Sequence, residues 1–163
     1  MSLGALEVDA LAERLRRHEP SVAGDPAAIR VVRAPGRVNL IGEHTDYNLG
    51  FVLPAAIGLE IRLAFVPTTD RRVAITLPDG ERREFDLSAI PPRSGGWIDY
   101  VAATAWSLQS AGLPLHGFRG VLASDLPMSA GLSSSAALEL ASAFALLDPP
   151  NLATHGIGRM QLA

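Results

Sequence analysis

The spacing of apolar positions changes from stretch to stretch along this chain, and each spacing predicts an element. Leu6, Ala10, Leu11 and Leu15 recur at helical intervals among charges, so residues 6–17 are predicted as an amphipathic helix that ends in the Pro20 to Pro26 stretch around Gly24. Residues 29–34 are β-rich and run into Pro35-Gly36, with 38–41 as their apolar continuation, and 51–53 and 57–66 follow as further strands. Residues 72–77 and 83–87 flank Pro78-Asp79-Gly80, a hairpin signal because aspartate before glycine tolerates the positive φ of a tight turn. Residues 97–111 return to helical spacing and stop at Gly112 and Pro114, and 118–123 form another short strand. Residues 133–147 are apolar on almost every face, which predicts a buried helix ended by Asp148, Pro149 and Pro150, and 159–163 open like one more helix.

Against this alternation, one stretch is conspicuously polar. Arg37, Asn39, Glu43, His44, Thr45, Asp46, Tyr47 and Asn48 crowd into a dozen positions between two predicted strands, bracketed by Gly36, Gly42 and Gly50. A connecting turn needs one or two turn-formers. A cation, two carboxylates, an imidazole, amides and hydroxyls together suit a ligand with many hydroxyl groups.

Composition narrows the classes. With 163 residues, 48% hydrophobic and 19% charged, the chain reads as one globular domain, and a net charge of −3 offers no basic field for nucleic acid or an anionic membrane. Carboxylates interrupt the N-terminal stretch where a signal peptide would be apolar, and no apolar run reaches membrane-span length, so a cytoplasmic protein is expected. The absence of cysteine excludes disulfides and thiolate metal sites. All 14 basic residues are arginine, so a Walker A loop, a protein-kinase strand lysine and a Schiff-base lysine are each excluded within this chain.

A second constellation lies at P-M-S-A-G-L-S-S-S-A-A, residues 127–137, where a glycine-bearing loop and three serines open the buried helix. Free backbone N–H groups and the positive end of the helix dipole converge at such a start, and serine hydroxyls add donors for phosphate oxygens or a ligand for magnesium. A plain N-cap is the simpler use of one serine. A serine-nucleophile elbow is not completed, because Ser135 stands where G-x-S-x-G requires glycine.

Taken together, R-A-P-G-R-V-N-L-I-G-E-H-T-D-Y-N and P-M-S-A-G-L-S-S-S-A-A resemble the first two signatures of the GHMP small-molecule kinases, and the first is similar to that of galactokinases. The resemblance implies an α+β fold, the GHMP-kinase N-terminal domain of ribosomal protein S5 domain 2-like type, with a mixed sheet and helices on one face. It implies that residues 1–163 form that domain, with a galactose-binding motif at 33–57 and an ATP phosphate loop at 127–137. The implied reaction is ATP-dependent phosphorylation of D-galactose to galactose 1-phosphate, the first committed step of galactose metabolism, with ATP and Mg2+ as cofactors. By the same resemblance, Glu43, His44 and Asp46 bind sugar hydroxyls. Arg37 stands near the sugar C1 hydroxyl and the transferring phosphoryl group, where a fixed cation stabilises developing charge. Gly131, Ser133, Ser134 and Ser135 hold nucleotide phosphates, Ser135 is the metal-linked hydroxyl, and Trp97 and Tyr100 help enclose adenine.

Galactokinases also carry a catalytic aspartate in a later segment, a magnesium-binding glutamate before it and a third glycine-rich motif, none of which is in this sequence. The expectation is therefore an N-terminal portion whose partner is a C-terminal domain of the same protein, inactive alone, with apolar sheet and helix surface left uncovered. The alternative is a non-catalytic galactose and ATP sensor related to galactokinases.

Overall fold

The computed structural model describes residues 7–21, 25–42, 48–127 and 131–147. Helix α1 (Val8–His18) leads through a short 3-10 turn into strands β1 (Arg30–Ile41), β2 (Leu53–Thr68), β3 (Arg72–Thr76) and β4 (Arg82–Asp86). Helix α2 (Ile98–Ser110), strand β5 (Gly117–Ser124) and helix α3 (Ser134–Leu147) complete the described chain. The second helix stops where the sequence predicts. Gly112 takes φ +77°, its amide donates to Gln109 and that of Leu113 to Leu108, a glycine-terminated cap.

The sheet is mixed, with strand order β1-β2-β5-β3-β4; β5 and β3 run parallel and the other neighbours antiparallel. Two strand pairs expected from the sequence are single long strands. Residues 29–34 and 38–41 merge into β1 through Pro35-Gly36, with a register shift against β2 between Pro35 and Arg37. Residues 53 and 57–66 likewise fall within one strand that begins at Leu53, and residues 51 and 52 precede it. Proline at the edge strand β1 lacks an N–H, and edge position with a local irregularity accommodates it without ending the strand. The helix start at residues 159–163 lies outside the described residues.

Alternation along β2 sends side chains to two different cores. Leu63 and Phe65 join Val73, Ile75, Phe118 and Leu122 beneath α2 and α3, which contribute Val101, Ala105, Leu138, Ala141 and Leu146. Phe65 and Phe118 meet edge to face at 5.8 Å. Ala64 and Val66 point the other way, with Val121 and Ala123, and are covered by Leu11 and Leu15 of α1. The two long helices thus share one face as expected, while α1 shields the other. Each fully buried Leu or Phe contributes about 1.5–3 kcal/mol of apolar transfer, which is why both faces of the central strands need a cover.

Within the described structure α3 buries Ala137, Leu138, Ala141, Ala145 and Leu146. Among the described residues, large apolar side chains are exposed at and beside the facing ends of β1 and β2, at Leu40, Ile41, Leu49, Phe51, Val52 and Leu53, at Val8 on α1, and on α2 at Tyr100 and Trp106.

Candidate active site

Gly36 brings the two motifs together. A Cβ at this position would stand 2.9 Å from the Leu132 carbonyl oxygen, 3.2 Å from Ile57 Cδ1 and nearer still to Leu126 Cδ2, so only glycine lets β1 pass so close to the loop before α3. At the next residue the strand and the loop are bonded. The Arg37 amide donates to the Leu132 carbonyl at 3.2 Å, and the Ser133 hydroxyl donates to the Arg37 carbonyl at 3.5 Å. The Arg37 side chain is exposed.

The loop itself is built for a helix start. Gly131 takes φ +71° with open space around the missing Cβ, so its requirement is conformational rather than steric. Ser133 takes φ +58°, an unusual conformation for a residue with a side chain and one that concentrates at ligand sites. The Ser133 carbonyl accepts from the Ala137 amide at 3.0 Å, so the amides of Ser134, Ser135 and Ala136 have no acceptor within the helix. Three half-buried serines and a run of outward amides make a set of donors, which fits an anion such as a phosphate group.

The sugar-facing candidates Glu43, His44 and Asp46 lie outside the described residues. Their flanks are described: Gly42 takes φ +94° and Leu49 φ +60°, so the chain enters and leaves residues 43–47 through left-handed backbone. For a leucine this costs roughly 1–2 kcal/mol.

A cleft of about 730 Å³ opens between α2, α3 and the loop that precedes α2. Tyr100 lines it and Glu139 of α3 closes one side, one helical turn or about 6 Å along the axis from Ser135. Trp97 does not line it. That indole is half-buried against the main core and its Nε1 donates to Glu81 Oε1 at 3.3 Å. The rim at Ser94 and Gly95 is held by Asp99, whose carboxylate accepts from the Ser94 amide at 2.9 Å, the Ser94 hydroxyl at 2.8 Å and the Gly95 amide at 2.6 Å. These donors, those of Ser94 foremost, hold the Asp99 carboxyl below its ordinary value.

A buried carboxylate braces β1 from below. Glu60 accepts from Arg33 Nε at 3.0 Å and from Arg62, and its amide donates to Asp125 Oδ1 at 2.6 Å. Burial pushes the Glu60 carboxyl up, but the two guanidinium groups outweigh it and the net direction is down. Sequence reading assigned no role to Glu60, Asp99 or Gly36. Glutamate two positions before an arginine in an otherwise apolar strand was the available signal for the first, and acid in the first turn of a helix for the second.

Among the described residues no group of three or more His, Asp or Glu side chains is arranged to hold a metal ion. No helix among them is long and apolar enough to cross a membrane.

Two family models match this arrangement: the galactokinase galactose-binding signature over residues 17–67 and the GHMP kinases N terminal domain over residues 99–155. The chain carries a GHMP-kinase N-terminal domain of the galactokinase family. Galactokinase from Roseiflexus sp. (strain RS-1) is 43% identical over 143 residues, covering 85% of this chain and 34% of that protein. Galactokinase from Chloroflexus aggregans is 45% identical over 127 residues, covering 76% of the chain and 33% of that protein. The solved galactokinase of Lactococcus lactis, complexed with galactose, superposes with a TM-score of 0.78 at 35% identity, over 92% of this chain and 39% of that one. A mevalonate kinase from Methanococcus jannaschii, 21% identical with a TM-score of 0.60 over 82% of this chain and 43% of that one, shares the fold. The chain therefore spans about a third of the length of the curated galactokinases it matches.

Proposed function

We propose that this chain supplies the sugar- and nucleotide-binding portion of an ATP-dependent galactokinase, acting in the protein that joins it to the remainder found in its longer relatives. The reaction is transfer of the γ-phosphoryl group of ATP to the C1 hydroxyl of D-galactose, giving galactose 1-phosphate and ADP. One observation carries the reading: the backbone of Arg37, in the sugar motif, is hydrogen-bonded to Leu132 and Ser133 of the phosphate-type loop. Phosphoryl transfer is governed by positioning and charge stabilisation, and this joint sets the two binding segments in one register.

Each group has a task in that reaction. Glu43 and Asp46 accept from the sugar hydroxyls, and His44 donates or accepts, which distinguishes a polyol from less hydroxylated substrates. Arg37 stabilises negative charge as it develops on the transferring group. The amides of Ser134, Ser135 and Ala136, with Gly131 and the Ser133 hydroxyl around them, bind nucleotide phosphates. The Ser135 hydroxyl would be the contribution of this chain to holding a magnesium ion, which would supply charge neutralisation at the nucleotide phosphates. Tyr100 borders the adenine site, and Trp97 supports it from within the core. The proton of the sugar hydroxyl passes to a carboxylate supplied by the rest of the protein. A cytoplasmic setting, with ATP at hand and no need of disulfides, suits a cysteine-free chain.

The test is galactose-dependent release of ADP by the intact protein, assayed against a panel of hexoses. Galactose should lead the panel. Absence of turnover with every sugar, or a clear preference for another, ends this reading.

A further inference from the structure

The cleft between α2 and α3 contains a second aromatic side chain that the nucleotide reading has not used. Trp106 lines it together with Tyr100 and Ala103, and the indole is 64% exposed although it sits on a helix whose opposite face is core. Tyr100 and Trp106 are six residues apart on α2, about 9 Å along the axis, and Ala103 lies midway between them in both rise and angle. Two ring contacts at 3.5–4.0 Å, one on each face of a planar group, require about 7–8 Å between the flanking rings. A rise of about 9 Å between the two backbone positions, with a small residue between them, leaves room for such a group between the side chains.

We propose that Tyr100 and Trp106 form an aromatic clip for the purine base of the nucleotide, with Ala103 as its floor. The proposal rests on the nucleotide reading above and adds Trp106 to it. The base is then one turn of α3 from the serines that hold the phosphates, since Glu139 closes the cleft and Ser135 lies one turn before it. Asp99 positions the rim by fixing Ser94 and Gly95, so the cleft is shaped before a ligand enters.

The experiment compares wild type with Trp106→Phe and Trp106→Ala in the intact protein. The difference in emission between wild type and Trp106→Phe isolates the Trp106 indole without disturbing the core residue Trp97. ADP should quench and blue-shift that signal, whereas inorganic tripolyphosphate, which carries the charge without the base, should leave it unchanged. By calorimetry Trp106→Ala should weaken ADP roughly five- to 150-fold, the range for loss of one base-stacking ring, and leave tripolyphosphate affinity as it was. Trp106→Phe should recover part of the loss. ADP binding to wild type with a silent Trp106 and an unaltered Trp106→Ala affinity overturns the clip and leaves the nucleotide reading standing. Absence of ADP binding to folded wild type overturns both.

Discussion

The Arg37 amide and the Leu132 carbonyl oxygen lie 3.2 Å apart in a backbone hydrogen bond that joins the sugar motif to the phosphate-type loop. The Ser133 hydroxyl returns the contact to the Arg37 carbonyl, bridging 96 positions of sequence. Neither bond uses the Arg37 side chain, which is exposed beside this joint.

The joint depends on the missing side chain at Gly36. Gly36→Ala places a methyl group against the Leu132 carbonyl and Leu126, and backbone cannot yield as a flexible side chain would. Overpacking of this kind costs about 1–3 kcal/mol, so the melting temperature should fall by roughly 2–12 °C. Affinities for both sugar and nucleotide should fall together. Calorimetry of unfolding and of ligand binding reads both; a variant with unchanged melt and affinity would show that β1 and the loop do not need this approach.

Glu60 should make the acid limb of stability steeper. Its folded value is lowered, so its contribution is complete above the ordinary value of 4.5 and is lost as pH falls through the folded value. Glu60→Gln should cost about 1–3 kcal/mol at neutral pH. The gap from wild type should close on acidification below the ordinary carboxylate range. Urea melts at several pH values check this, and a gap that persists at the acid end contradicts it.

Asp99 serves the cleft rim rather than the core. Because Asp99 is only half-buried and lies outside both cores, Asp99→Asn should leave the melt near wild type. It should weaken ADP by roughly two- to twelve-fold, the range for ordering one or two side chains at a binding surface. In wild type the bonds to Ser94 and Gly95 are complete above the ordinary value of 3.8 and disappear as pH falls through the lowered folded value. Calorimetric titration of both proteins with ADP tests the claim.

For the sugar motif, Glu43→Ala and Asp46→Ala in the intact protein should each raise the KM for galactose about tenfold or more, the effect of losing a charge-assisted hydrogen bond. The KM for ATP should change little. Steady-state kinetics with each substrate varied in turn decides; equal effects on both constants would assign these residues to the fold.

Local patterns carried most of the element assignments. Helical spacing identified α1 and α2 to within two residues at each end. Asp79-Gly80 marked the β3–β4 turn, where Gly80 takes φ +94° and donates to Leu77. The boundaries that failed lie where proline stands within a strand: Pro35 and Pro54 suggest breaks, but Pro35 sits at an irregularity of the edge strand and Pro54 near the start of β2. Spacing also leaves the surroundings of Trp97 undetermined. Tyr100 follows at helical spacing in the sequence, yet the two face different surroundings, one the cleft and the other the core.

The two constellations, their order and the chemistry each can offer are legible along the chain, because side-chain type and local spacing are properties of neighbouring residues. So are the periods from which helices and strands were read. The approach of Gly36 to Leu132, the brace of Arg33 and Arg62 on Glu60, and the cleft that Trp106 shares with Tyr100 emerge from the folded chain alone. Each of these depends on which surfaces meet when the sheet closes against α2 and α3, and a pairing between distant segments leaves no period in the chain to read.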